Sequence, residues 1–88
     1  MEKTSWYVYI LRCKDKSLYI GVTNNIPKRV SVHNLGKGSK YVRSRLPALL
    51  VFKEKCTDES EAKKREAALK KLSKESKEKL TLKGLKAK

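Results

Sequence analysis

Residues 6–23 read WYVYILRCKDKSLYIGVT, and the fold turns on how this stretch is read. Over residues 4–13 large β-forming side chains alternate, with Trp6, Val8 and Ile10 on one side and Tyr7, Tyr9 and Leu11 on the other, which is strand periodicity. Lys14-Asp15-Lys16-Ser17 is a polar turn, and residues 18–23 supply a second short β-rich run, so the simplest unit is a hairpin. A loop centred on Lys14 or Asp15 makes Tyr9 and Tyr19 direct or diagonal neighbours on one face. Gly21 follows Tyr19 on that face and removes a side chain where backbone or ligand could approach closely.

Outward from the hairpin, Thr23-Asn24-Asn25 before Ile26-Pro27 predicts a helix start. Side-chain oxygens can cap the free amides, and proline is tolerated in the first turn. That helix should run to about Leu35, with Gly36 and Gly38 ending it and residues 37–45 forming an exposed basic loop. Residues 47–56 are a nearly continuous apolar run, the pattern of a third strand covered on both faces. Asp58 and Glu61 have capping-box spacing, and Ala62, Ala68, Leu69 and Leu72 mark the side of a helix that should face the sheet. Ser73 can cap a last short helix over residues 74–82. Residues 83–88 are expected to fray as a basic tail. The expected fold is α/β (α+β): one domain over residues 1–82, a small three-stranded antiparallel sheet flanked by helices in the order β-β-α-β-α-α.

Composition narrows the function. Eighty-eight residues suffice for one modest core. Twenty-three Lys and Arg against nine Asp and Glu give a net charge of +14, far more than solubility asks and best relieved by a polyanion. The acids are also absent from the middle of the chain: between Asp15 and Glu54 there is no carboxylate, while Lys16, Lys28, Arg29, Lys37, Lys40, Arg43, Arg45 and Lys53 all fall there. Lys28, Lys37, Lys40, Arg43 and Arg45, with Asn34 among them, are therefore candidate nucleic-acid contacts. The longest uncharged stretch, residues 17–27, is too short to span a bilayer, and the opening residues lack a leader pattern, so a soluble, cytoplasmic, nucleoid-associated protein is expected. Cys13 and Cys56 are isolated and His33 is the one histidine, which removes zinc-finger and disulfide scaffolds.

Several residues invite a chemical reading beside a plain one. Arg29 and His33 stand four apart and share a helix side, as an exposed cationic pair or as two groups facing a phosphate. On a helical wheel Glu66 lies only about 40° from Ala62 and about 60° from Leu69, so it borders the buried stripe. It can pair with Arg65 or Lys70, or ligate a divalent metal. Tyr7, Tyr9, Tyr19 and Tyr41 read singly as packing with wet hydroxyls; Tyr9 and Tyr19 gain interest from each other's company.

Tyr7-Val8-Tyr9, then Tyr19-Ile20-Gly21, then Arg29, His33-Asn34 and Glu66 together resemble the GIY-YIG nuclease superfamily, and within it the small stand-alone bacterial branch related to the N-terminal domain of the excision-repair incision subunit. The resemblance covers about residues 6–72. It implies a divalent-metal-dependent phosphodiesterase acting on DNA in repair or processing, with one Mg²⁺ or Mn²⁺ on Glu66 and no organic cofactor. Tyr9 would take a proton from the attacking water, Tyr19 would order that water, Arg29 would stabilise charge growing on phosphorus, and His33 would bind or position the same phosphate. Tyr7 replaces the glycine of the first triplet, and Val22 stands where some relatives carry a lysine. An appended site-selecting domain is not expected, whereas weak sequence preference and salt-sensitive binding are. The alternative is a noncatalytic basic module that keeps the fold and binds DNA or RNA; a weaker third reading is a partner for an acidic protein. A tyrosine is only about one part in a thousand phenolate at pH 7, so the base assignment leans on the cationic middle segment to favour the anion.

Overall fold

Trp6–Arg12 forms β1 and Leu18–Thr23 forms β2, paired antiparallel with Tyr9 opposite Gly21 and Leu11 opposite Tyr19. This register makes Tyr9 and Tyr19 diagonal neighbours, one of the two arrangements expected. In this computed structural model, which describes residues 5–84, the turn closes with Lys16 at φ 71° and with the Asp15 carboxylate accepting from the Ser17 amide. The third strand, β3 (Leu49–Cys56), pairs antiparallel with the other side of β1, giving the sheet order β2-β1-β3.

That order makes β1 the doubly covered strand, and its alternation fills two cores. Trp6, Val8 and Ile10 pack with Ile20, Phe52, Cys56, Ala62 and Leu69 on one face. Tyr7, Tyr9 and Leu11 pack with Ile26, Val42 and Ala48 on the other. The expectation that β3 is covered on both faces is corrected: it is an edge strand, with Leu49 65% exposed and Lys53 and Lys55 in solvent. Exposed lysines on an edge discourage further pairing. A bulge skips Val51 between the Ile10–Phe52 and Leu11–Leu50 pairs, so the apolar run does not keep one orientation.

The first helix, α1 (Ile26–Asn34), starts where the sequence indicates, with the Asn25 side chain accepting from the Lys28 amide at 3.1 Å. The basic segment after it is not wholly a loop. One helical turn, α2 (Lys40–Arg43), capped by Ser39, inserts Val42 completely into the core between Tyr41 and Arg43, which are exposed. A single apolar residue in a basic run carries no periodic signal, which explains why it escapes a pattern reading.

On the opposite face lies α3 (Glu59–Lys70). Asp58 caps it by accepting from the Glu61 amide at 2.8 Å, while the Glu61 carboxylate reaches past the cap to the Thr57 amide at 2.6 Å. Ala62 and Leu69 are buried as expected, whereas Ala68 and Leu72 are exposed, so the buried stripe is narrower than predicted. The last helix, α4 (Lys74–Gly84), is capped by Ser73 through the Ser76 amide. Arg12 at the end of β1 grips Glu78 of α4 through two bonds of 2.6 and 3.0 Å, holding the helix across the sheet. This helix takes in positions 83 and 84 of the expected tail; residues 85–88 lie outside the described residues.

Candidate active site

Tyr9 and His33 are both 1% exposed, and the Tyr9 Oη lies 3.0 Å from the His33 Nε2. β1 supplies the phenol and the last turn of α1 supplies the imidazole, so the bond ties the C-terminal end of the helix to the sheet. The Tyr19 ring stands beside both, with centroids 6.4 Å from Tyr9 and 5.3 Å from His33. Three rings therefore share one corner at the β2 side of the sheet. Two glycines make the room. A Cβ on Gly21 would sit 2.6 Å from the Tyr9 hydroxyl oxygen and 3.2 Å from the Tyr19 Cε2, and a Cβ on Gly38 would collide with His33 Nδ1 and lie 2.8 Å from its Cε1. Gly38 reads in the sequence as a helix terminator; its contact with the imidazole has no local signature.

Gly21→Ala and Gly38→Ala are each expected to destabilise by about 1–3 kcal/mol, since the neighbour in each case is a buried ring that must leave its packed position. Thermal melting checks this. An unchanged midpoint in both variants would mean the rings move freely and the corner is not preorganised.

The electrostatics of the corner differ from the sequence expectation. Burial pushes the Tyr9 hydroxyl above the ordinary tyrosine value; Arg29 pulls it down, while Tyr19 and Glu66 add to the rise, and burial wins. The cationic middle segment therefore does not by itself make Tyr9 an anion. Burial also holds His33 below its ordinary value, with the Arg29 charge acting in the same direction, so the imidazole is neutral at pH 7. Its Nδ1 is buried with no hydrogen-bond partner among the described residues. Expected on the phosphate, His33 lies instead behind Tyr9, where its polar contact is with the phenol.

Glu66 rises from α3 on the other face of the sheet, yet its charge acts on the Tyr9 hydroxyl. The carboxylate is 22% exposed and accepts from Lys70 at 3.1 Å, the lysine one turn on. Tyr9, Tyr19 and His33 thus meet directly from β1, β2 and α1 with Gly21 the gap beside them, while Arg29 of α1 and Glu66 of α3 act on the Tyr9 hydroxyl through their charge. Among the described residues no group of three or more His, Cys, Asp and Glu side chains gathers that could hold an ion. One hard carboxylate oxygen donor beside this corner fits Mg²⁺ or Mn²⁺, which take one or two carboxylates and complete their shells with water and other oxygen ligands.

The outer basic residues divide. Lys28, Lys37, Lys40 and Arg43 are exposed. Arg45 is held by Asp15 at 2.9 Å and lies over the Tyr41 ring, its carbon 3.9 Å from the centroid. Asn34, expected to touch nucleic acid, is a structural clamp: its amide donates to the Ala48 carbonyl at 3.0 Å and accepts from the Ala48 amide at 2.9 Å, pinning α1 to the entry of β3. Both ends of that side chain are occupied by backbone groups, so its first role is structural.

Residues 5–79 match the GIY-YIG catalytic domain, and the chain belongs to that family, a superfamily of nucleases. Its relatives carry the name UPF0213. It is 51% identical over 73 residues to UPF0213 protein DP2720 of Desulfotalea psychrophila, covering 82% of this chain and 66% of that protein. It is 51% identical to UPF0213 protein BLi00048/BL00536 of Bacillus licheniformis, covering 89% of this chain and 80% of the relative. The solution NMR structure of UPF0213 protein BH0048 from Bacillus halodurans superposes with a TM-score of 0.58 at 44% identity, covering 91% of this chain and 86% of that one. No helix among the described residues is long and apolar enough to cross a membrane.

Proposed function

We propose that this protein hydrolyses DNA phosphodiester bonds with the help of one divalent cation, in DNA repair or processing, and with weak sequence preference. The observation that carries the reading is the Tyr9–His33 pair, with Tyr19, Arg29 and Glu66 all acting on the same phenol at the β2 edge. Glu66 would hold Mg²⁺ or Mn²⁺, which when bound polarises a phosphate oxygen and eases departure of the 3′-oxygen.

The chain's own groups supply the rest. Tyr9 Oη in its deprotonated fraction takes a proton from the attacking water as the water oxygen bonds to phosphorus and the bond to the 3′-oxygen breaks, the departing oxygen carrying the electron pair. Tyr19 orders that water from the side. Arg29 offsets the charge growing on the phosphoryl oxygens. His33 is a positioning residue: neutral and buried, it fixes the Tyr9 oxygen rather than touching substrate. Lys28, Lys37, Lys40 and Arg43 bind flanking phosphates, so affinity should fall steeply with salt.

Purified protein incubated with supercoiled plasmid should nick it in Mn²⁺ or Mg²⁺, and EDTA should abolish nicking while leaving low-salt DNA binding intact. Binding without nicking under every metal condition would overturn the nuclease reading in favour of a noncatalytic DNA- or RNA-binding module.

A further inference from the structure

An open groove of about 320 Å³ runs along the free edge of β2, lined by Leu18, Tyr19, Ile20, Tyr41, Lys70 and Lys77. It abuts the candidate centre twice. Tyr19 is one of its walls and also a member of the three-ring corner, and Lys70 is the ion-pair partner of Glu66. Its composition is specific: two phenol rings, an aliphatic floor and two ammonium groups. Tyr41 and Tyr19 are inclined by only 22° with centroids 6.2 Å apart, so the rings are slipped past each other; Arg45 covers one face of Tyr41, the offset from Tyr19 leaves part of the other uncovered, and Tyr41 is 38% exposed. Lys77 makes no ion pair among the described residues, and the Arg12 grip on the adjacent Glu78 holds its helix in place.

From this we infer that the groove is a binding site for one unpaired nucleotide next to the scissile phosphate, its base against Tyr41 and Tyr19 and its flanking phosphate on Lys77 and Lys70. The substrate class is therefore single-stranded or frayed DNA rather than a closed duplex. The volume sits at the small end of ligand pockets, roughly 300 Å³ upward, which suits one nucleotide. Rings beside cations along a track are how single strands are held without regard to sequence, because every base has a face to stack. A duplex keeps its bases stacked on each other and offers these rings nothing. The inference rests on the nuclease reading only for which phosphate lies at Glu66.

Anisotropy titrations in EDTA test it, using a fluorescein-labelled single-stranded oligonucleotide and a blunt hairpin duplex of the same composition. Wild type should prefer the single strand. Tyr41→Ala and Lys77→Gln should each weaken single-strand binding about tenfold and hairpin binding by less than about twofold. Lys77→Gln should also flatten the single-strand log–log salt slope by about 0.7. Equal weakening on both probes, or none on either, overturns the groove. Thermal melting confirms that the variants fold, and Lys77→Gln alone decides if Tyr41→Ala does not. Nicking assays on the same proteins separate the two readings. A wild type that grips the single strand through Tyr41 yet never cuts sustains the groove and ends the nuclease; one that cuts while both variants bind normally ends the groove alone.

Discussion

Glu66→Ala is expected to lower metal-dependent nicking by about a thousandfold or more, because a bound cation contributes several kcal/mol of transition-state stabilisation and each 1.36 kcal/mol is a factor of ten in rate. Glu66 is the carboxylate on α3 whose charge reaches the Tyr9 hydroxyl, and its partner is Lys70. That i,i+4 pair is half exposed and easily broken, so it holds the carboxylate in place without blocking exchange for a cation. Removing the acid also removes a negative charge from the surface proposed to meet phosphates and frees Lys70. DNA affinity in EDTA should therefore stay level or rise in both Glu66→Ala and Glu66→Gln. Loss of cleavage with retained binding is the expected signature; cleavage at the wild-type rate in both variants would detach the metal from this residue.

The hairpin and its two-sided alternation were legible because β1 is central: both of its faces are buried, and Trp6, Val8 and Ile10 go one way while Tyr7, Tyr9 and Leu11 go the other. The same logic misled at β3. A continuous apolar run can mean burial on both faces, but here a bulge at Val51 and an edge position produce it. Helix starts were legible from their side-chain caps, at Asn25, Asp58 and Ser73, since capping is local chemistry. Val42 and Ala68 were not, as burial of single residues depends on which distant element arrives over them.

For the site, the residue types were visible and their partnerships were not. Nothing in the sequence ties Asn34 to the backbone of Ala48 or sets Gly38 against the imidazole, because both contacts are made across a loop whose path is tertiary. The electrostatic balance at Tyr9 was hidden for a related reason. Charge along the chain is countable, whereas the desolvation that outweighs it exists only once both cores close. Lys77 is the same case: one lysine among many in a basic C-terminal stretch, distinguished only by the groove it borders.

Tyr9→Phe carries the second large expected effect, a fall of about 10²–10⁴ in cleavage rate, the range a positioned general base supplies. The ring and its packing remain while the oxygen goes, so the change is confined to the chemistry and to the His33 bond. That bond is also the fold's stake: without it both imidazole nitrogens are buried and unpartnered, which should cost about 1–3 kcal/mol and show as a lowered melting midpoint. The pH profile separates the two consequences. Because burial places Tyr9 above the ordinary tyrosine value, its deprotonated fraction is still growing about tenfold per pH unit throughout pH 6–9, and wild-type log rate should climb with a slope approaching +1. His33 cannot sustain that climb to pH 9, since its value lies below the ordinary one and its titration is over before the upper part of the range. Tyr9→Phe should be flat over the same interval at temperatures well under its melting point. A wild type that is itself flat from pH 6 to 9 would take the proton-accepting role away from Tyr9, leaving the Tyr9–His33 pair as a hinge pin between sheet and helix.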